Sequence, residues 1–232
     1  MNNPSLKLAC LFLTLLAAWP GSRVQAAMVT WDGGSGGNAF WDTLGNWDIA
    51  ETPATTDDVV FGTGFTSGTT ISLNGVRTVS SLTIDTSTGF SIADNTLTLT
   101  AGTLTRNSTA SGDQTLASGV TLGANAIWTI DGSGTLTVSG AIGDGAANSF
   151  SLTKAGSGTL ILTGNNSYDG DTIVNAGTLQ VDGTGIPNSA GDGNVVVNGS
   201  GTLDLFDATV SINGLSGSGL IQKTSGAAAD TF

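Results

Sequence analysis

Histidine is absent from the 232 residues, and the one cysteine, Cys10, lies near the start. Imidazole and thiol catalysis are therefore excluded over the body of the chain. Disulfides are excluded too, so stability must come from packing and backbone hydrogen bonds. Basic residues are scarce, with six Lys and Arg against 18 Asp and Glu. Only 10% of residues are charged, which argues against charge-driven disorder. No segment beyond the first 26 residues carries the apolar spacing of an amphipathic helix.

The start of the chain reads as an export signal. Lys7 supplies a positive charge, Leu8 to Trp19 an apolar core, Pro20-Gly21 a break and Val24-Gln25-Ala26 a small-residue cleavage pattern. Cleavage is expected after Ala26. The apolar stretch is shorter than a bilayer-spanning helix requires, which disfavours a membrane anchor. Cys10 lies before most of that stretch, where a lipid-attachment site does not belong. Lys7 and Arg23 leave with the signal. What remains has four basic residues, Arg77, Arg106, Lys154 and Lys223, against all 18 acidic ones, a net charge of −14. Such a surface repels phosphate backbones and anionic lipids, so nucleic acid and membrane insertion are not expected.

What the chain does contain is glycine, 35 residues of it, with abundant Thr, Ser, Asn and Asp. Apolar residues recur at i and i+2 in short bursts closed by turn formers. Examples are Ile71/Leu73, Leu82/Ile84, Leu97/Leu99, Val120/Leu122 and Leu136/Val138, and the pattern continues to Val210/Ile212. Strands of this kind lay one face on a core and show hydroxyls to water. The bursts also copy one another. Gly-Thr-Leu occurs at 102–104, 134–136, 158–160, 177–179 and 201–203, and Gly-Ser-Gly-Thr-Leu begins at Gly132, Gly156 and Gly199. Approximate repeats of roughly 20–30 residues indicate a solenoid, because propeller blades need about 40. Stacked coils about 4.8 Å apart bury what one coil cannot. Roughly eight to ten coils are expected at this repeat length.

Lys154 to Val181 reads KAGSGTLILTGNNSYDGDTIVNAGTLQV. This run resembles the autotransporter-associated β-strand repeat, also called the passenger-associated transport repeat. The matching positions are Gly156, Gly158, Leu160, Leu162, Gly164, Asn166, Tyr168, Gly170, Thr172, Gly177, Thr178, Leu179 and Val181. Partial copies stand at 132–138 and 217–224. The opening TWDGGSGGNAFWDTLGNWD at 30–48 is similar to the Trp-rich entry that precedes such repeats. The resemblance implies an all-β, right-handed parallel β-helix with a Trp-rich N-terminal cap. The implied bacterial protein is exported to the cell surface or beyond, outer-membrane-associated and of Gram-negative type, and the repeat itself has no catalytic residues. The expected organisation is a signal at 1–26, an entry module at 27–65 and solenoid repeats over 66–232. Neither a membrane barrel nor a sorting tail is recognisable, so the repeats are expected to be truncated at the C-terminus, or covered there by a partner.

Trp31, Trp41 and Trp47 admit two readings: a carbohydrate-stacking surface, or a plug over the open end of the solenoid. The plug is preferred. Asp57-Asp58 and Asp169-Gly170-Asp171 are the tightest acidic pairs, yet neither fits a calcium-loop pattern, so neither metal nor cofactor is expected. A pectate-lyase-like enzyme is the third alternative, and Arg77, Arg106 and Lys154 are too isolated to support it. The expected role is structural and adhesin-like, with surface glycans or other cell-surface proteins as partners.

Overall fold

A computed structural model describes residues 26–33, 39–49, 51–62, 68–182, 184–189, 191–206 and 210–224. Except for Ala26, the expected signal lies outside these residues, as does the chain end beyond Thr224. No helix among the described residues is long and apolar enough to cross a membrane. Among the described residues the one helical element is a single 3-10 turn, Leu44–Asn46. The remaining regular structure there is strand, paired in parallel except for an isolated antiparallel bridge between Trp31 and Trp47.

The strands wind into a three-sided β-solenoid of about seven turns. Side A stacks Met28–Trp31, Asp58–Phe61, residues 81–84 and 103–106, Ala126–Ile130, Leu152–Ala155, residues 172–174 and 195–197, and Leu215–Gly217. Side B stacks Thr69–Ser72, Phe90–Ala93, Gln114–Leu116, Thr135–Val138, Thr159–Leu162, residues 178–181 and 202–204, and Leu220–Gln222. Among the described residues, side C has strands in the first four coils only, at 77–79, 96–99, Gly119–Leu122 and Ile142–Gly143. The turn count is below the expected eight to ten. The first full coil starts at Asp58, because the entry segment adds one strand to side A and no complete turn.

Alternation of side chains puts one apolar column behind each strand position. On side A the column runs Val29, Val59, Leu82, Leu104, Trp128, Lys154, Val174 and Val197, each at most 1% exposed. On side B, Leu136, Leu160, Leu179 and Leu203 stack directly. Each buried aliphatic side chain contributes about 1.5–3 kcal/mol. The four later Gly-Thr-Leu copies are therefore true rung mates. The first copy is not: Leu104 stacks on side A, between Leu82 and Trp128. At that level side B carries Gly112-Asp113-Gln114 instead, which accounts for the irregular first spacing in the sequence.

Corners are crowded because a rung-to-rung distance leaves no depth for a side chain pointing along the axis. A Cβ at Gly140 would stand 1.8 Å from the Ser118 carbonyl oxygen of the coil below. At Gly62 the nearest atom would be a Thr30 methyl at 3.5 Å. Gly140→Ala should accordingly cost about 1–3 kcal/mol through forced separation of two coils. Gly62→Ala should fall within about 1 kcal/mol of neutral. Urea titration of the two variants tests this, and equal midpoints would contradict the stacking argument.

Candidate functional site

The stretch from Leu152 to Val181 forms most of two successive coils, and each of its motif residues has a physical task. Leu160 and Leu162 fill side B of one coil, and Leu179 and Val181 fill the same columns one coil later. Gly156 and Gly177 turn the corners between sides A and B with φ of +77° and +64°, and Gly158 continues the first of these corners. Gly164 and Gly170 lie against backbone of the preceding coil, where a Cβ would come within 2.2 Å of the Gly140 oxygen and 2.4 Å of the Phe150 carbonyl carbon.

Asn166 does something the sequence pattern does not announce. It sits on side C, where strands cease after Ile142–Gly143. Its Oδ1 accepts from the Ile142 amide at 2.8 Å, and its Nδ2 donates to the Gly185 carbonyl at 2.8 Å. One side-chain amide thus joins the coil before to the coil after, as a peptide group would in a strand ladder. Tyr168 then fills the side C interior, fully buried, with its hydroxyl 2.6 Å from Thr172 Oγ1. Burial pushes the phenol well above its ordinary pKa, with the Thr172 bond opposing. This is a packing residue and not an acid–base group.

Lys154 and Arg106 are buried inside the solenoid, at 1% and 0% exposure. Each occupies an inward position of its alternation, as Leu152-x-Lys154 and Leu104-x-Arg106. Lys154 Nζ donates to the carbonyls of Ala155, Gly156 and Ala176 at 2.8, 2.8 and 3.0 Å. Ala176 belongs to the next coil, so the ammonium clamps two corners together. Burial lowers its pKa to about 8, with the Asp131 charge opposing. Arg77 makes a similar corner clamp on the Leu73 and Asn74 carbonyls, at 2.6 and 2.9 Å, and meets Asp42 at 3.4 Å.

The tryptophan cluster is interior. Trp31, Trp41 and Trp47 are 3%, 1% and 2% exposed, and their rings pack edge-on with centroids 4.9–5.0 Å apart. All three rest on Phe61, and Trp47 Nε1 donates to the Trp41 carbonyl at 2.7 Å. The sugar-stacking alternative is corrected here, because no indole face is left open to water. Of the acidic pairs, the Asp57, Asp58 and Asp171 carboxylates are engaged as well. Asp57 accepts the Ala27 and Ala54 amides at 2.9 and 2.8 Å, and Asp58 accepts the Ser81 hydroxyl at 2.6 Å. Asp171 accepts the Asn194 amide at 2.7 Å, and the Asp169 amide donates to Asp144.

A staple recurs along the stack: a carboxylate on one coil accepts both the amide and the hydroxyl of Thr or Ser on the next. Asp113 holds Thr135 at 2.8 and 2.9 Å, and Asp131 holds Ser157 at 2.8 and 3.0 Å. Asp204 holds Thr224 at 2.9 and 2.5 Å. The bonds from Thr135 and Ser157 draw the Asp113 and Asp131 carboxyls below their ordinary pKa. Burial pushes Asp204 up, but bonds from Thr224, Phe206 and Gln222 outweigh it, and the net direction is down. A shallow open groove lined by Thr70, Phe90, Ser91 and Asp113 lies beside the first of these staples.

Stability should vary with pH at both ends. The staple carboxylates have lowered folded values, so their contribution is complete above about pH 4 and is lost as pH falls through those values. Lys154 is also lowered, but its charged form is the one disfavoured on folding. Its cost is therefore full below about pH 8 and vanishes as pH rises towards 10.5. Urea midpoints should fall on acidification less steeply in an Asp113→Asn/Asp131→Asn variant. They should rise between pH 8 and 10.5 in the parent but not in Lys154→Met. A parent curve flat over both windows would refute both attributions. Separately, Asn166→Ala should cost about 1–3 kcal/mol and speed hydrogen exchange at the Ile142 amide.

Comparison with known proteins agrees with this geometry. The passenger-associated transport repeat family matches residues 152–181. The chain is 33% identical over 175 residues to the adhesin BmaC autotransporter of Brucella suis biovar 1 (strain 1330), a match covering 73% of this chain and 4% of that protein. It is 42% identical over 69 residues to an extracellular serine protease of Serratia marcescens, covering 30% of this chain and 7% of that one. The chain thus spans a small fraction of either relative. No solved structure matches it. Residues 152–181, with their corner glycines, bridging Asn166 and buried Tyr168, are thus the part of the chain that matches the passenger-associated transport repeat family.

Proposed function

We propose that this chain is the passenger-type rod of an exported, adhesin-like surface protein, and that it works by display rather than by catalysis. The observation that carries this reading is the unbroken core. Among the described residues, buried columns and the backbone ladders of sides A and B run from Val29 to Leu203, and Asn166, Lys154, Arg106 and Gln114 inside are spent on holding coils together. Tyr168, Lys154 and Arg106, the groups best suited to chemistry, are enclosed and hydrogen-bonded to neighbouring residues. The matched adhesin is itself described as an autotransporter, and the repeat family is named for passengers. Contact with other surfaces then falls to the exterior, where Thr, Ser and Asp side chains stand in rung-spaced rows. Surface glycans or cell-surface proteins are the partners this exterior suits, through many weak polar contacts.

A rod built of equivalent coils should tolerate loss of one. Leu82 and Leu104 occupy the same column, so deleting residues 82–103 removes a single coil in register. The shortened protein should fold with native circular dichroism and lose about 5 Å of length by small-angle scattering. Deleting residues 82–92 instead breaks register and should prevent folding. An in-register deletion that unfolds as fully as the other would end the rod interpretation. Adhesion is tested apart from this: the intact rod, displayed on a non-adherent bacterium, should raise attachment to glycan-coated surfaces several-fold over a strain displaying nothing.

A further inference from the structure

The interior of this solenoid is chemically monotonous. Side A offers Val59, Leu82, Leu104, Trp128, Val174 and Val197 to its neighbours, interrupted by Lys154, and side B offers Leu136, Leu160, Leu179 and Leu203. Outside, Thr83, Thr105 and Thr129 stack in one column. Every rung can offer the same backbone ladder to every other. A stack that skipped a whole coil would bury nearly the same apolar surface and face its side chains the same way. Hydrophobic pattern alone does not choose between these registers.

Two interior layers are different, that of Lys154 and, two coils before it, that of Arg106 with Gln114. Arg106 stands in the column of Phe61, Ile84 and Ile130, and Gln114 in that of Phe90 and Leu136. Both are fully buried. Arg106 Nε donates to Gln114 Oε1 at 2.7 Å, Nη2 to the Gly112 carbonyl at 2.9 Å, and Nη1 to the Asp131 carbonyl of the coil above. Gln114 Nε2 donates to the Thr88 carbonyl of the coil below at 3.1 Å. The pair therefore reads three consecutive coils at once. Space for it is made by glycine on the upper coil. A Cβ at Gly132 would lie 2.8 Å from Nη1, and one at Gly134 would lie 2.6 Å from Nη2.

We propose that the Arg106–Gln114 pair is a register lock, which fixes which coil stacks on which during folding of the solenoid. A buried guanidinium bonded to neutral acceptors adds little net stability, because its desolvation cost offsets what its bonds return. Stranded without those acceptors it costs several kcal/mol. That asymmetry penalises skipped stacking and leaves correct stacking nearly unaffected. A single buried polar residue plays the same part in coiled coils, where it fixes register at some expense of stability. The Lys154 clamp on Ala176 repeats the device two coils further on, between coils that lie outside the reach of Arg106.

The test uses the absence of cysteine after the signal. Thr105 and Thr129 are register partners on the outer face, whereas Thr83 and Thr129 become neighbours only if the 103–106 rung is skipped. Two proteins, Thr105→Cys/Thr129→Cys and Thr83→Cys/Thr129→Cys, are unfolded in urea, refolded and then oxidised. With Arg106 and Gln114 present, the first should form an intramolecular disulfide and the second essentially none. In an Arg106→Met/Gln114→Leu background the protein should still fold with native circular dichroism. The skipped-register disulfide should rise at least tenfold. An unchanged yield of that disulfide would overturn the proposal. So would a double variant that fails to fold, since the pair would then be supplying stability and not register.

Discussion

Stacking of one backbone coil on the next, at the spacing of a parallel ladder, governs the rest of this molecule. At about 4.8 Å between rungs, the hydrogen-bonding groups of each strand are met by its neighbours, and nothing thicker than a peptide group fits between coils. Side chains must then point strictly inward or outward, which is why buried and half-exposed residues alternate so regularly in Asp58–Phe61, Thr135–Val138 and Thr159–Leu162. The corners, where chain direction changes, are left to residues without bulk along the axis.

The same spacing explains the acidic composition. All acidic residues but Glu51 are aspartate. A carboxylate that must reach the amide of the next rung has one rung to span, and the aspartate stem suits that distance. Asp113, Asp131, Asp171 and Asp204 all accept an amide from the following coil. Asn125 does likewise for Ser151, and Asn166 bridges in both directions. The negative charge that keeps an exposed sheet soluble is thus partly the by-product of short side chains holding coils together. Arg77, Arg106 and Lys154 take the complementary part, collecting corner carbonyls.

Much of the architecture was legible in the sequence, because period-two alternation and the copied Gly-Thr-Leu runs follow directly from rung geometry. The repeat at 154–181 identified its own fold in detail. Three things were not legible. Gly-Thr-Leu at 102–104 looked like its copies but lies on another side, since three residues of alternation do not say which side of a coil they occupy. Arg106 and Lys154 read as isolated charges, since charge alone says nothing about enclosure. Their places in the alternation do carry that information once an inward position is allowed to be charged. The tryptophans were ambiguous because an indole serves a plug and a sugar platform equally well, and only their burial against Phe61 separates the two.

The family repeat begins where side C gives up its strands, and the coincidence has a physical cause. In the first four coils side C is closed by backbone pairing, ending at the two-residue strand Ile142–Gly143. Beyond it the chain must cover the same interior without a ladder. Asn166 replaces the missing peptide group, Tyr168 replaces the missing apolar pair, and Gly164 and Gly170 let the chain press against the coil below. Sides A and B continue unchanged through this transition, with Leu136, Leu160, Leu179 and Leu203 still in one column. Coil length is 20 residues between Lys154 and Val174 and 23 between Val174 and Val197, against 22 to 26 in the ladder-closed coils before them, while the other two sides keep register. For the stack on sides A and B, closing side C with a few anchor atoms is therefore equivalent to closing it with a ladder.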